Sequence, residues 1–256
     1  MPDKKILSDI RGFIASQNKN NKQIHSYREA KKSIQYFQNI AIGVELDNYK
    51  DVILQEETGL ELGGMNKKSF LLVYPIREEN LLTDGNITLI GPEIKSIHEL
   101  SIDFGILLLI SVKEVSSNKF KDLSSFTFIS NSIEGFSIRS IPRKFWSRIS
   151  RNMLNKGFSF EFLANAIIYL YRKKFKDLIE AIELIVISSY SDSIDEFLSI
   201  SADISHKLKE KWLKKLDSWK KRIDCDYDWG CEICPYQIEC FEIKKVLMAR
   251  NKREER

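Results

Sequence analysis

A chain of 256 residues with 43% hydrophobic and 30% charged side chains holds enough apolar material for a real core, and suits one large domain or one domain with appendages. Its 40 basic and 36 acidic residues leave a formal net charge of +4, too small an excess to indicate a nucleic-acid binder. No run reaches the roughly 20 apolar residues of a membrane span and no signal-peptide apolar region follows Met1, so a cytoplasmic protein without membrane contact is expected.

From Lys4 to about Asn39, apolar residues at helical spacing (Ile6, Ile10, Phe13, then Ile34 and Phe37) predict two helices broken near Asn18–Asn21, a helical N-terminal arm over 1–40. Short β-rich runs follow at Ile42–Val44, Val52–Leu54, Phe70–Tyr74, Ile87–Ile90 and Ile106–Val112, separated by turns at Gly63-Gly64, Asp84-Gly85 and Gly91-Pro92. A helix is predicted at Lys119–Ser130 and a strand at Gly135–Ile141. A strong helix is predicted over Phe160–Phe175, with Ser159 as N-cap and Leu163, Ala166, Ile167, Leu170 and Tyr171 on its buried side. A buried strand at Ala181–Ser188 precedes a long helix from about Ile194 to Arg222, whose apolar face (Ile204, Leu208, Trp212, Leu216, Trp219, Ile223) leaves a lysine-rich solvated face. The expected fold is α+β: a mixed-strand body with packed helices over 41–222, the N-terminal arm, and a C-terminal cysteine-rich metal-binding lobe over 223–256 closed by a helix at Phe241–Glu255.

All four cysteines fall in one string, Cys225, Cys231, Cys234 and Cys240, spaced C-x5-C-x2-C-x5-C. In a reducing compartment such a cluster reads as metal ligation or redox chemistry rather than structural disulfides. The two-residue gap lets neighbouring thiolates chelate one centre, and the longer arms can wrap the other two ligands around it. Four thiolates suit a 4Fe–4S cluster or Zn2+; zinc ribbons usually show two separated C-x2-C knuckles, which favours iron–sulfur and leaves zinc as the alternative. Tyr227, Trp229, Tyr236 and Phe241 would shield a centre from water, or form only the small core of the lobe.

Three further blocks complete a pattern. Gln55-Glu-Glu-Thr-Gly-Leu-Glu-Leu-Gly-Gly64, Leu82-Thr-Asp-Gly-Asn-Ile-Thr-Leu-Ile-Gly-Pro-Glu93, and Gly135 to Ser150 with Lys156-Gly-Phe158 occur in order ahead of the cysteines. Taken together, the chain resembles the β subunit of carbon monoxide dehydrogenase/acetyl-CoA synthase, as a short relative of its middle and third domains. The resemblance implies an acyl-transfer setting in one-carbon metabolism, with a four-iron cluster bridged to nickel and an arginine-rich middle domain that receives coenzyme A. Carried over, Cys231, Cys234 and Cys240 match cluster ligands with Cys225 as a substitute for the fourth, and Arg139, Arg143 and Arg148, beside Lys144 and Lys156, would contact coenzyme A through guanidinium–phosphate pairing. The family's later Cys-Gly-Cys nickel element has no counterpart after Cys240. An electron-transfer or accessory subunit with a redox or one-carbon enzyme as protein partner is therefore expected, rather than a complete acetyl-CoA synthase.

Two other classes compete with this reading. A structural zinc protein would use its metal only to fold the C-terminus. The cysteine string also resembles the cluster of RecB-like nucleases, but the hard-cation site of those enzymes needs an E-x-K pair, and Lys113-Glu114 has the wrong order and spacing. No phosphate-binding loop, dinucleotide fingerprint, nucleophile elbow or H-E-x-x-H motif is present, and His25, His98 and His206 are scattered.

Overall fold

A computed structural model describes residues 2–30, 40–42, 53–78, 80–112, 122–123, 127–130, 132–141, 144–176 and 178–202, with backbone alone at 2, 127, 139–141 and 144. The elements are α1 (Pro2–Lys19), β1 (Ile24–Arg28), β2 (Thr58–Gly63), β3 (Ser69–Ile76), β4 (Asn86–Ile90), β5 (Ser101–Ile102), β6 (Phe104–Val112), β7 (Phe136–Ile141), β8 (Lys144–Ser150), α2 (Arg151–Asn155), α3 (Phe160–Lys174), β9 (Ile179–Ser188) and α4, which starts at residue 191. Strands order as β1-β4-β9-β6-β3 in one sheet and β5-β2-β8-β7 in a second. The first sheet is mixed: β1/β4 and β9/β6 run antiparallel, β4/β9 and β6/β3 parallel. The α+β class with a mixed sheet and packed helices is thus present, with two sheets and four helices among the described residues.

Side-chain alternation assigns the layers. On β6 the residues Phe104, Ile106, Leu108 and Ile110, and on β9 Ile182, Leu184 and Val186, face a core shared with α3 and the second sheet. The intervening Leu107, Leu109, Ile185 and Ile187 lie on the opposite face and are equally buried. That face carries α1 and α4: Phe13 meets Phe197 edge-on at 5.3 Å, Phe197 stacks on Phe70 at 4.9 Å, and Gln17 and Lys22 bond to Ser193, Glu196 and Asp192. A sheet buried on both faces explains why β6 and β9 read as nearly unbroken apolar runs.

The N-terminal helix is therefore built into the molecule, with Ile6, Ile10 and Phe13 buried against the sheet. It ends at Lys19, within the expected break, and Asn21 just beyond it has a left-handed backbone. The second predicted helix of the arm is corrected over Ile24–Arg28, which is a strand paired residue for residue with Ile90–Asn86. Ladder pairing to β4 outweighs the weak helical preference of these five residues; Ile34 and Phe37 lie outside the described residues. Of the other expected strands, Ile42 makes a single bridge to Ile133 and Val44 and Val52 lie outside the described residues. Within the expected helix at Lys119–Ser130, Asp122 and Leu123 are α-helical and Thr127–Ile129 form a 3-10 turn; 119–121 and 124–126 lie outside the described residues.

α3 matches its prediction closely. Ser159 Oγ accepts from Phe162 N at 3.0 Å, and Leu163, Ala166, Ile167, Leu170 and Tyr171 are fully buried. Each large aliphatic side chain contributes on the order of 1.5–3 kcal/mol by leaving water, which makes α3 the organising element of the core. Among the described residues no helix is long and apolar enough to cross a membrane.

Candidate functional site

The three sequence blocks converge on α3 and on the β2/β8 ladder. In the first block, Leu60 and Leu62 point into the core and Glu61 and Gly63 away from it; in the third, Phe145, Ser147 and Ile149 point in and Trp146 and Arg148 out. Antiparallel register sets Glu61 opposite Arg148 and Gly63 opposite Trp146. Arg148 Nε donates to Glu61 Oε1 at 2.8 Å, its Nη1 donates to Ile53 O at 3.2 Å, and its guanidinium lies 5.3 Å from the Trp146 ring centroid. The chain at Ile53 covers this outer face, so Arg148 is only 7% exposed.

Two glycines make the ladder possible. At Gly63, where φ is +70°, an added Cβ would stand 2.2 Å from Phe145 O, so a side chain would push β8 away. At Gly59 a Cβ would stand 2.6 Å from Leu154 Cδ1 and 3.0 Å from Arg151 Cα, so α2 lies directly on the strand. Ser150 caps α2, accepting from Met153 N at 3.3 Å, and Arg151 donates through its backbone N to Glu57 O and through Nε to Thr58 O.

The second block holds α3 at both ends. Near the N-terminus, Glu93 Oε2 accepts from Phe160 N at 2.9 Å and Ile94 N at 3.1 Å, while Oε1 accepts from Glu161 N at 3.0 Å and Tyr27 Oη at 3.4 Å. A carboxylate there meets unpaired amides and the positive end of the helix dipole. At the C-terminal end, Asp84 Oδ1 accepts from Ile182 N at 3.0 Å and from Arg172 Nη2 at 2.7 Å, and Glu29 takes the rest of the Arg172 fork. Burial opposes the charge of Arg172, but the hydrogen bonds to Glu29 and Asp84 outweigh it and raise its pKa. Ser188 Oγ donates to Pro92 O at 2.7 Å, tying the same block to β9.

The predicted arginine set is distributed around this framework. Arg139 is on β7 opposite Trp146, and Ser137, two residues before it, is opposite Arg148. Arg143 lies outside the described residues. Lys156, at the end of α2, pairs with Glu134 at 3.1 Å. Ala41 N–H, followed by Lys156, holds the Glu134 carboxyl below the usual carboxylate range against the opposing effect of burial. Cys225, Cys231, Cys234 and Cys240 all lie outside the described residues, and among those described no group of three or more His, Cys, Asp or Glu is placed to hold a metal ion.

The structural roles of Glu61, Trp146 and Glu93 were not assigned from sequence. The alternation Leu60-Glu61-Leu62 and Phe145-Trp146-Ser147-Arg148-Ile149 is the signal that reveals the first two. Glu93 has only its place just before a turn and a helix.

The model of the CO dehydrogenase/acetyl-CoA synthase complex beta subunit family matches residues 48–192, more than half of the chain and all three blocks. The chain belongs to that family. Acetyl-CoA decarbonylase/synthase complex subunit beta from Methanopyrus kandleri is 25% identical over 155 residues, which cover 59% of this chain and 32% of that protein. Carbon monoxide dehydrogenase/acetyl-CoA synthase subunit alpha from Moorella thermoacetica is 22% identical over 182 residues, 68% of this chain and 23% of that protein. The chain thus spans about a third and about a quarter of these two relatives. The family match ends at residue 192, ahead of Cys225.

Proposed function

We propose that this chain is a cluster-binding member of the CO dehydrogenase/acetyl-CoA synthase beta subunit family that serves one-carbon and acetyl-CoA metabolism as an electron-transfer or accessory subunit. The observation that carries the reading is the family match over 48–192, whose blocks interlock around α3 and the Glu61–Arg148 rung. Both relatives are named as subunits of synthases, which supports a protein partner for this chain as well.

The donor set fits an iron–sulfur centre: Cys225, Cys231, Cys234 and Cys240 offer four thiolates, the ligand number and type that a 4Fe–4S cluster takes. When bound, such a cluster supplies one-electron transfer. The chain's own residues would hold it by the four sulfurs and limit water access through Trp229 and Tyr236. With all four thiolates so engaged, none is left for a nickel site, so acyl synthesis by this chain alone is not part of the proposal. Coenzyme A would meet Arg139 and Arg143, whereas the buried Arg148, expected to join them, has its fork taken by Glu61 and Ile53 O and would instead hold the shape of the strand face around Trp146.

Anaerobic purification of the full chain followed by iron, sulfide, zinc and nickel analysis tests the reading. Iron and acid-labile sulfide in equal amounts, without nickel, are expected. Stoichiometric zinc without sulfide would replace the redox role with a structural one.

A further inference from the structure

Among the described residues the two sheets have four edge strands, and three of them carry a feature that hinders further pairing. β5 is two residues long. On β7, Ser130 Oγ donates to Ile138 O at 3.1 Å and accepts from Ile138 N at 2.9 Å, so one side chain occupies both outward backbone groups of that residue. Beside β3, Lys68 O accepts from Phe104 N, so even-numbered positions bond to β6 and Pro75 falls at an outward position, where it offers no N–H. Short strands, prolines and covering groups are common devices that keep sheet edges from pairing.

β1 has none of these devices. Gly91 N donates to Gln23 O at 2.9 Å and Glu29 N to Gly85 O at 2.7 Å, so odd-numbered positions bond toward β4. Alternation therefore turns the N–H and C=O of Ile24, Ser26 and Arg28 to the outer side, where among the described residues they meet no partner. The three residues span roughly 14 Å of strand, and Ser26 and Arg28 are exposed. Donors and acceptors repeating at strand pitch are matched by a second extended backbone rather than by a small molecule or a helix.

We propose that β1 pairs antiparallel with β1 of a second copy of this chain, centred on Ser26, so that two five-stranded sheets join into one. Symmetry then sets Ser26 opposite Ser26, Ile24 opposite Arg28 and His25 opposite Tyr27, with about six backbone hydrogen bonds between the copies. The strand's own sequence suits this register. A small side chain stands at the axis, and the one cation of β1 faces an isoleucine, over which its methylene stem can lie. The two Arg28 residues are kept roughly 14 Å apart along the ladder, beyond the range at which like charges repel strongly in physiological salt. On the opposite face, His25 and Tyr27 already stack within one copy at 6.1 Å, and across the axis they would form aromatic pairs at the closer, non-hydrogen-bonded positions. With the other three edges hindered, association stops at a closed pair.

Sedimentation velocity of the full chain across a concentration series, with residue-resolved hydrogen exchange, tests this. Ser26→Pro removes an outward N–H that the pairing with β4 does not use, so the folded chain should tolerate it. Ser26→Lys keeps the N–H and sets two like charges at the axis, and circular dichroism checks that both variants fold. Expected are a concentration-dependent dimer with no larger species, and slow exchange at the Ile24, Ser26 and Arg28 amides that quickens on dilution. The dissociation constant should rise about tenfold to a hundredfold in Ser26→Pro, from the loss of one donor in each copy, and in the same direction in Ser26→Lys. A wild-type chain that stays monomeric throughout the series would overturn the proposal. So would a dimer that both folded variants leave unchanged, or fast exchange at the three amides in the dimer, since either places the contact on another surface.

Discussion

Glu61 and Arg148 occupy one rung of the β2/β8 ladder and close it with a 2.8 Å charge-assisted hydrogen bond on the side of the sheet away from the core. The pair joins the first family block to the third, and the 7% exposure of Arg148 makes its partner essential. A buried guanidinium left alone costs far more than the intact pair contributes.

Arg148→Met and Glu61→Gln should therefore act unequally. Removing the arginine should destabilise by about 3 kcal/mol, since it also abandons Ile53 O and the Trp146 face. Arg148→Lys should recover less than half of that, because a point ammonium cannot serve Glu61, Ile53 O and the indole at once. Urea denaturation monitored by tryptophan fluorescence measures both; a fully restored lysine variant would show that charge alone matters.

Glu93 caps α3 from outside the helix through Phe160 N and Glu161 N, and also accepts from Ile94 N and Tyr27 Oη. Glu93→Ala should cost about 2 kcal/mol, since it leaves helix N-terminal amides unpaired and removes a charge from the favourable end of the dipole. Glu93→Gln should retain part of the stability, having an acceptor oxygen without the charge. Hydrogen exchange at Phe160 and Glu161 should accelerate in the alanine variant; unchanged protection there would contradict the capping role.

Glu134 gives the fold an acid-sensitive point. Its carboxyl is held below the ordinary value of 4.5, first by Ala41 N–H and then by Lys156, with burial opposing. A carboxyl whose folded pKa is depressed contributes stability above its unfolded pKa and loses it as pH falls through the folded value. Denaturation midpoints of wild type and Glu134→Gln should thus differ at neutral pH and converge in acid, as the pH falls below the ordinary carboxylate range. A difference that stays constant into acid would show that another group carries the dependence.

The long apolar runs and the strong amphipathic helix were legible in the sequence because their burial pattern is local: β6, β9 and α3 declare themselves by composition and period. β1, β2 and β8 were harder. The five residues Ile24–Arg28 follow a helix and contain few strand formers beyond Ile24 and Tyr27, so only their pairing with β4 makes them a strand. In β2, Gly59 and Gly63 look like breakers yet serve close packing against α2 and β8. The convergence of the blocks was foreshadowed by their order, but the face shared by Glu61, Trp146 and Arg148 depends on a register between residues far apart in the chain. The arginine set was recognisable as a basic neighbourhood; that Arg148 spends its fork on Glu61 and Ile53 was not, because the partners come from elsewhere in sequence.

In the proposed function, Cys225, Cys231, Cys234 and Cys240 hold one redox-active iron–sulfur centre on a member of this family. Low-temperature electron paramagnetic resonance of the anaerobically purified, dithionite-reduced full chain tests it most directly. The spectrum should carry the signal of a reduced 4Fe–4S cluster, lost or strongly altered in Cys231→Ser; protein with stoichiometric zinc and no cluster signal would exclude the iron–sulfur centre.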